Sequence, residues 1–172
     1  MATSENPINL VQSLHELRQT KEDCPDEPVA IVGISNGANM AMMMSFSAAA
    51  LNMEIDLLVT LDVMYPIRGS APPISTLPQA IKPPNVKIHL NITSDPDGYS
   101  KQEYPWLVEA NAMATQIFIV RDIPGAINVM APYTIHGTLD DKFISKPDDP
   151  KGFITNPAWE LTRDMMTIIM HS

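Results

Sequence analysis

Gly33-Ile34-Ser35-Asn36-Gly37, a serine set between two glycines, is the first chemical signal in the chain. The apolar run from Val29 leads into it, and a long run of small residues and methionines follows from Ala38. That order predicts a strand, a tight turn and a helix, with the serine on a strained turn and its hydroxyl exposed above the sheet edge. The two glycines are expected to remove side chains that would clash where strand and helix come close. The first N–H groups of the helix, that of Asn36 foremost, point at the same spot and could stabilise a tetrahedral oxyanion. A serine so placed becomes a nucleophile once a base takes its proton. The same five residues also suit a turn that only packs, or one that binds an anion.

"VAIVGISNGANMAM" resembles the nucleophile elbow of the α/β-hydrolase superfamily, the serine esterases and lipases. The resemblance continues through "IDLLVTLDVMYP" to "IHGTLDD" and spans most of residues 28–142. It implies a serine, an acid and a histidine in that chain order. Of the four histidines, His15 precedes the serine, His89 falls inside a predicted strand and His171 is the penultimate residue. His136, in a late loop beside Gly137, is therefore the expected base. Two aspartates stand at predicted strand ends. Asp62 closes "IDLLVTLD", a position similar to that of the acid in pancreatic-type lipases, although the proline that follows theirs is displaced here to Pro66. Asp95, in "IHLNITSDPDG", is the alternative acid, at the commoner position in the superfamily.

The resemblance thus implies ester hydrolysis through an acyl-enzyme, by Ser35, His136 and Asp62, with the Asn36 N–H at the oxyanion. A small-molecule or lipid ester is the implied substrate, and no cofactor is required. The superfamily also places several strands ahead of its elbow, whereas one helix fills the 28 residues before Val29. The loop that supplies a second oxyanion donor belongs to that portion. A reduced or partial domain is expected, with a second copy or a partner chain covering an open sheet edge. The competing reading is a non-catalytic module of the same fold, used for assembly or protein binding.

These residues need a scaffold, and the pattern supplies one. Asn6-Pro7 opens a helix to about Lys21, with Ile8, Leu10, Val11, Leu14 and Leu17 at helical spacing. Val29 to Gly33 and Ile55 to Asp62 read as strands buried on both faces, with a helix from Asn36 to about Met53 between them. Met40, Met42, Met43 and Met44 on that helix are expected to fill the core rather than line an acyl pocket. Pro66 to Pro84 reads as irregular, Val86 to Thr93 as a third strand, and "YPWLVEANAMATQ" as holding a short helix. Ile117 to Val120 is the expected fourth strand. Asn156-Pro157 repeats the opening cap and starts a final helix through Ile169. Strands alternating with helices predict one α/β domain over residues 1–172, a mostly parallel sheet with flanking helices. Sites in such sheets form at the carboxyl ends of the strands.

Composition narrows the possibilities. The chain has 172 residues and a formal net charge of −9, a surface that repels phosphate backbones and disfavours nucleic acid. A single cysteine, Cys24, excludes an internal disulfide framework and a cysteine-based zinc site. Asp95-Pro96-Asp97-Gly98 lacks the third acidic ligand and the closing glutamate of a calcium loop, so no metal is expected. No apolar run reaches the roughly 18 residues of a membrane span. No secretory signal is visible at the start, and a cytoplasmic location is expected.

Overall fold

The computed structural model describes residues 7–64, 81–95, 119–146 and 149–171. Helix α1 (Pro7–Asp23) precedes strand β1 (Ala30–Ile34), helix α2 (Asn36–Ala50) and strand β2 (Ile55–Leu61). Strands β3 (Val86–Asp95) and β4 (Ile127–Pro132) complete a four-stranded sheet of order β1-β2-β3-β4, parallel throughout. A hairpin of β5 (Phe143–Lys146) and β6 (Asp149–Thr155) leads into helix α3 (Pro157–Met170). The fold is therefore α/β, a parallel sheet flanked by helices. Among the described residues, no helix is long and apolar enough to cross a membrane.

Each face of the sheet has its own core. Ile55, Leu58 and Val86 pack with Ala38, Ala41, Met42 and Ala48 of α2 and with Leu17 of α1. Small side chains at helical spacing on α2 let it lie close on β1 and β2, and Met42 fills the remaining gap. On the other face, Leu57, Val59, Leu61, Leu90 and Ile92 meet Ala158, Leu161, Met165 and Ile169 of α3. That helix starts as its sequence predicts. The Asn156 side chain accepts a hydrogen bond from the Ala158 N–H at 2.9 Å, with Pro157 in the first turn.

A buried polar row interrupts the α2-side core. The Thr60 hydroxyl donates to Asn91 Oδ1 and lies 3.0 Å from His89 Nε2. Asn91 Nδ2 donates to the carbonyls of Val120 and Arg121 and to Asn128 Oδ1. These bonds fasten residues 120–128 across the carboxyl half of the sheet.

The fourth strand is a correction. It lies at Ile127–Pro132 rather than at 117–120. Residues 117 and 118 fall outside the described set, and Ile119 forms only an isolated antiparallel bridge with Met64. Among the described residues β4 is an edge strand, with Ile127 and Met130 exposed, so it lacks the continuous apolar run of a doubly buried strand and tolerates Pro132. The Asn6 cap, the helix expected within 104–116 and most of the proline-rich stretch also lie outside the described residues.

Candidate functional site

Ser35 sits where β1 becomes α2, with φ 55° and ψ −122°. A non-glycine residue reaches that backbone only when its surroundings hold it there. Here they do. Its N–H donates to the Leu61 carbonyl at 2.8 Å, and its carbonyl accepts from Ala38 N–H at 3.0 Å. Asn39 Nδ2 ties the same turn to the Met64 carbonyl at 2.7 Å. A Cβ on Gly33 would overlap the Gly37 carbonyl and lie 2.8 Å from Ala38 Cα, so glycine is required at that position. Gly37 departs from the sequence expectation. A Cβ there would meet nothing within 4 Å, so only its backbone, not its missing side chain, takes part in the close approach.

Two more strained residues stand at neighbouring strand ends: Asp62 after β2, with φ 48°, and Tyr133 after β4, with φ 63°. Three of the four left-handed non-glycine residues among those described thus lie at the carboxyl ends of strands, where α/β sheets form their sites. The loop after Tyr133 carries His136 at the start of a single 3₁₀ turn, His136–Thr138. The structure brings this histidine between Ser35 and Asp62. His136 Nε2 lies 3.0 Å from Ser35 Oγ, and His136 Nδ1 lies 2.9 Å from Asp62 Oδ2.

The proton positions follow from the partners. A carboxylate only accepts, so Nδ1 carries the imidazole proton and donates it to Asp62. Nε2 is left as the acceptor for the Ser35 hydroxyl. The hydrogen bond that His136 donates to Asp62 raises the His136 pKa above its ordinary value, against the burial that lowers it, with the charges of Asp62 and Asp140 adding to the rise. The imidazole keeps 32% of its side-chain surface exposed, while the Asp62 side chain is fully buried. One end of this chain of groups is therefore dry and the other reachable.

No family model, curated protein or solved structure matches this chain.

The site therefore has to be read from its own geometry. Asn36 is the first residue of α2 and is exposed, and the opening N–H groups of a helix have no intrahelical acceptor. Asp95, the alternative acid, ends β3 opposite Pro132, and its carbonyl accepts from Thr134 N–H at 3.2 Å. His15 is exposed on α1, and His171 is exposed at the end of α3. His89 is buried on β3, and its pKa is lowered to about 4 by burial, aided by the charge of Lys82. Among the described residues, no group of three or more histidines, cysteines, aspartates or glutamates is placed to hold a metal ion.

Three residues around the site carried no functional signal in the sequence. Ser94, fully buried on β3, donates from its N–H to Asp62 Oδ1 and from its hydroxyl to Asp62 Oδ2, both at 2.7 Å. Met64 brings its sulfur to 3.2 Å from Ser35 Oγ, a second acceptor for the one hydroxyl proton. Asn156 does more than cap α3. Its Nδ2 donates to the carbonyls of Thr138 at 2.7 Å and Asp141 at 2.8 Å, which braces the turn that holds His136. Only Asn156 stood out in the sequence, and then as a helix cap. A buried serine at a strand end and a methionine two residues past an aspartate have no diagnostic spacing.

Proposed function

We propose that the chain is a serine hydrolase of the α/β-hydrolase type that cleaves esters. The observation that carries this reading is the hydrogen-bond chain from Ser35 Oγ through His136 to Asp62 Oδ2, spanning 3.0 and 2.9 Å. Three features support it besides: the residues follow the order serine, acid, histidine; the serine occupies a strained strand-to-helix turn; and all three residues lie at the carboxyl end of a parallel sheet.

In this mechanism Ser35 Oγ attacks the acyl carbon while His136 Nε2 takes its proton. The carbonyl electrons move onto oxygen, near the Asn36 N–H at the start of α2. Collapse of the tetrahedral adduct expels the alcohol, which receives the proton from Nε2 and leaves the acyl group on Ser35. Water then attacks the acyl carbon with His136 again as base, and the acid departs as Ser35 regains its proton. Asp62 holds the imidazole in the Nδ1–H tautomer and stabilises its cation in both halves of the cycle. A small-molecule or lipid ester fits this chemistry. Neutral or cationic esters suit a chain of net charge −9 better than polyanions.

Labelling with a fluorophosphonate probe tests the proposal. The wild-type protein should label, and Ser35→Ala and His136→Ala should not. A folded wild type that stays unlabelled would refute catalysis by this chain alone. A second reading, a non-catalytic module that docks a partner along β1, has one observation behind it. Among the described residues β1 pairs only with β2, and Val32 on it is 40% exposed. That reading expects no labelling and a change of oligomeric state on substituting Val32.

A further inference from the structure

The Asp62 carboxylate is held from a direction the reaction itself does not require. Asp62 turns into a left-handed conformation one residue past the end of β2. Its own N–H still donates to the Ile92 carbonyl on β3, at 2.9 Å. Beyond that point the backbone of β2 leaves the ladder, and the next N–H of β3 that faces it, that of Ser94, needs another acceptor. The Asp62 side chain takes the place of the missing backbone carbonyl and accepts at Oδ1. The Ser94 hydroxyl then reaches Oδ2, the same oxygen that accepts from His136 Nδ1. Two donors on one rigid strand residue thus grip both oxygens of one buried carboxylate.

We propose that Ser94 is a positioning residue for this site: its N–H and hydroxyl together fix the plane of the Asp62 carboxylate, so that Oδ2 is presented to His136 Nδ1. The inference rests on the hydrolase reading for its catalytic consequence, but not for its geometry. With the hydroxyl removed, the carboxylate keeps one anchor, at Oδ1, and can rotate about its Cβ–Cγ bond. His136 then loses the aligned acceptor that favours its cation, while the burial that disfavours the cation remains. Asp62 and Asp140 are the acidic groups acting on this imidazole, and Ser94→Ala leaves both in place.

The test follows the His136 imidazole by NMR across pH in wild type, Ser94→Ala and Ser94→Thr, with fluorophosphonate labelling rates measured alongside. The His136 midpoint is expected to fall by about half a pH unit or more in Ser94→Ala and to return in Ser94→Thr. Labelling should slow about tenfold in Ser94→Ala, the low end for loss of a group that orients an active-site residue. His89, on the same strand, is the internal control and should keep its midpoint. An unchanged or raised His136 midpoint in Ser94→Ala would overturn the proposal, as would a parallel shift of both histidines, the mark of a general disturbance of β3. If the added methyl of threonine is too large for a fully buried position, the alanine midpoint alone decides. A wild type that does not label, with the midpoint still falling in Ser94→Ala, would retain the positioning role and remove the hydrolase reading.

Discussion

Asn156 joins the stability of the last helix to the geometry of the site, and two substitutions separate these roles. Its Oδ1 caps α3 through Ala158 N–H, while its Nδ2 serves the loop carbonyls of Thr138 and Asp141. Asn156→Ser keeps a capping oxygen and removes the loop donors. Thr138 retains a second donor, the Asp141 N–H at 3.2 Å, so chiefly the Asp141 carbonyl is left without this donor. Three hydrogen bonds are lost, that to the Thr138 carbonyl replaceable and that to the Leu139 carbonyl long at 3.4 Å, at a cost of about 2 kcal/mol. Asn156→Ala also removes the cap, which adds about 1 kcal/mol. Urea unfolding followed by far-UV circular dichroism should therefore order the midpoints wild type, serine, alanine. The serine variant should also label more slowly with fluorophosphonate in the folded state, because the turn carrying His136 has lost its brace. A serine variant as stable and as reactive as wild type would refute the bracing role. Equal losses in both variants would refute the cap.

Two further predictions concern the turn and the buried histidine. Gly33→Ala should destabilise by about 3 kcal/mol or more, since its methyl meets backbone that cannot yield, whereas Gly37→Ala should stay within about 1 kcal/mol of wild type; thermal unfolding of the two variants checks the contrast. His89 refuses a proton in the fold until about pH 4, whereas an unfolded histidine accepts one near pH 6.5. Stability should therefore drop as pH falls between those values, by about 3 kcal/mol in all, and denaturant titrations at pH 7 and pH 4.5 should show most of that loss in wild type and not in His89→Gln.

What the sequence disclosed follows burial. β1 is legible as a short apolar run closed by a glycine turn, although Ala30 and Val32 on it are exposed; β2 is legible as a largely apolar run covered on both faces, and β3 by apolar residues alternating with Lys87, His89, Asn91 and Thr93. β4, with Asn128 and Pro132 in it, and the hairpin, with Pro150 and Gly152 on β6, carry turn residues inside paired strands and show no strand pattern in the sequence. Ser35 was legible because a strained turn demands glycine at Gly33, which leaves a mark in the sequence. His136 could be reached only by chain order, and the choice between Asp62 and Asp95 stayed open, because both end apolar strands. The three-dimensional fact that distinguishes Asp62 is its hydrogen bond to His136 across 74 residues. Ser94 was invisible for the same reason, since its two bonds to Asp62 span 32 residues.

The all-parallel sheet has a consequence for the order in which the molecule is made. No hairpin joins any two of its four strands, so each pairing waits for a complete crossover. Ser35 and Asp62 leave the ribosome before His136, which follows Ser35 by 101 residues. At ordinary rates of synthesis that separation is roughly 5–20 s. Through that interval the chain holds Ser35 without the imidazole that lies 3.0 Å from its hydroxyl in the finished fold. His136 arrives with the loop after β4, and Asn156, which braces its turn, arrives later still. If Ser35 acts as the proposed nucleophile, it can become reactive only after that loop is made, and a serine probe applied to stalled nascent chains would then read out how far each had been built.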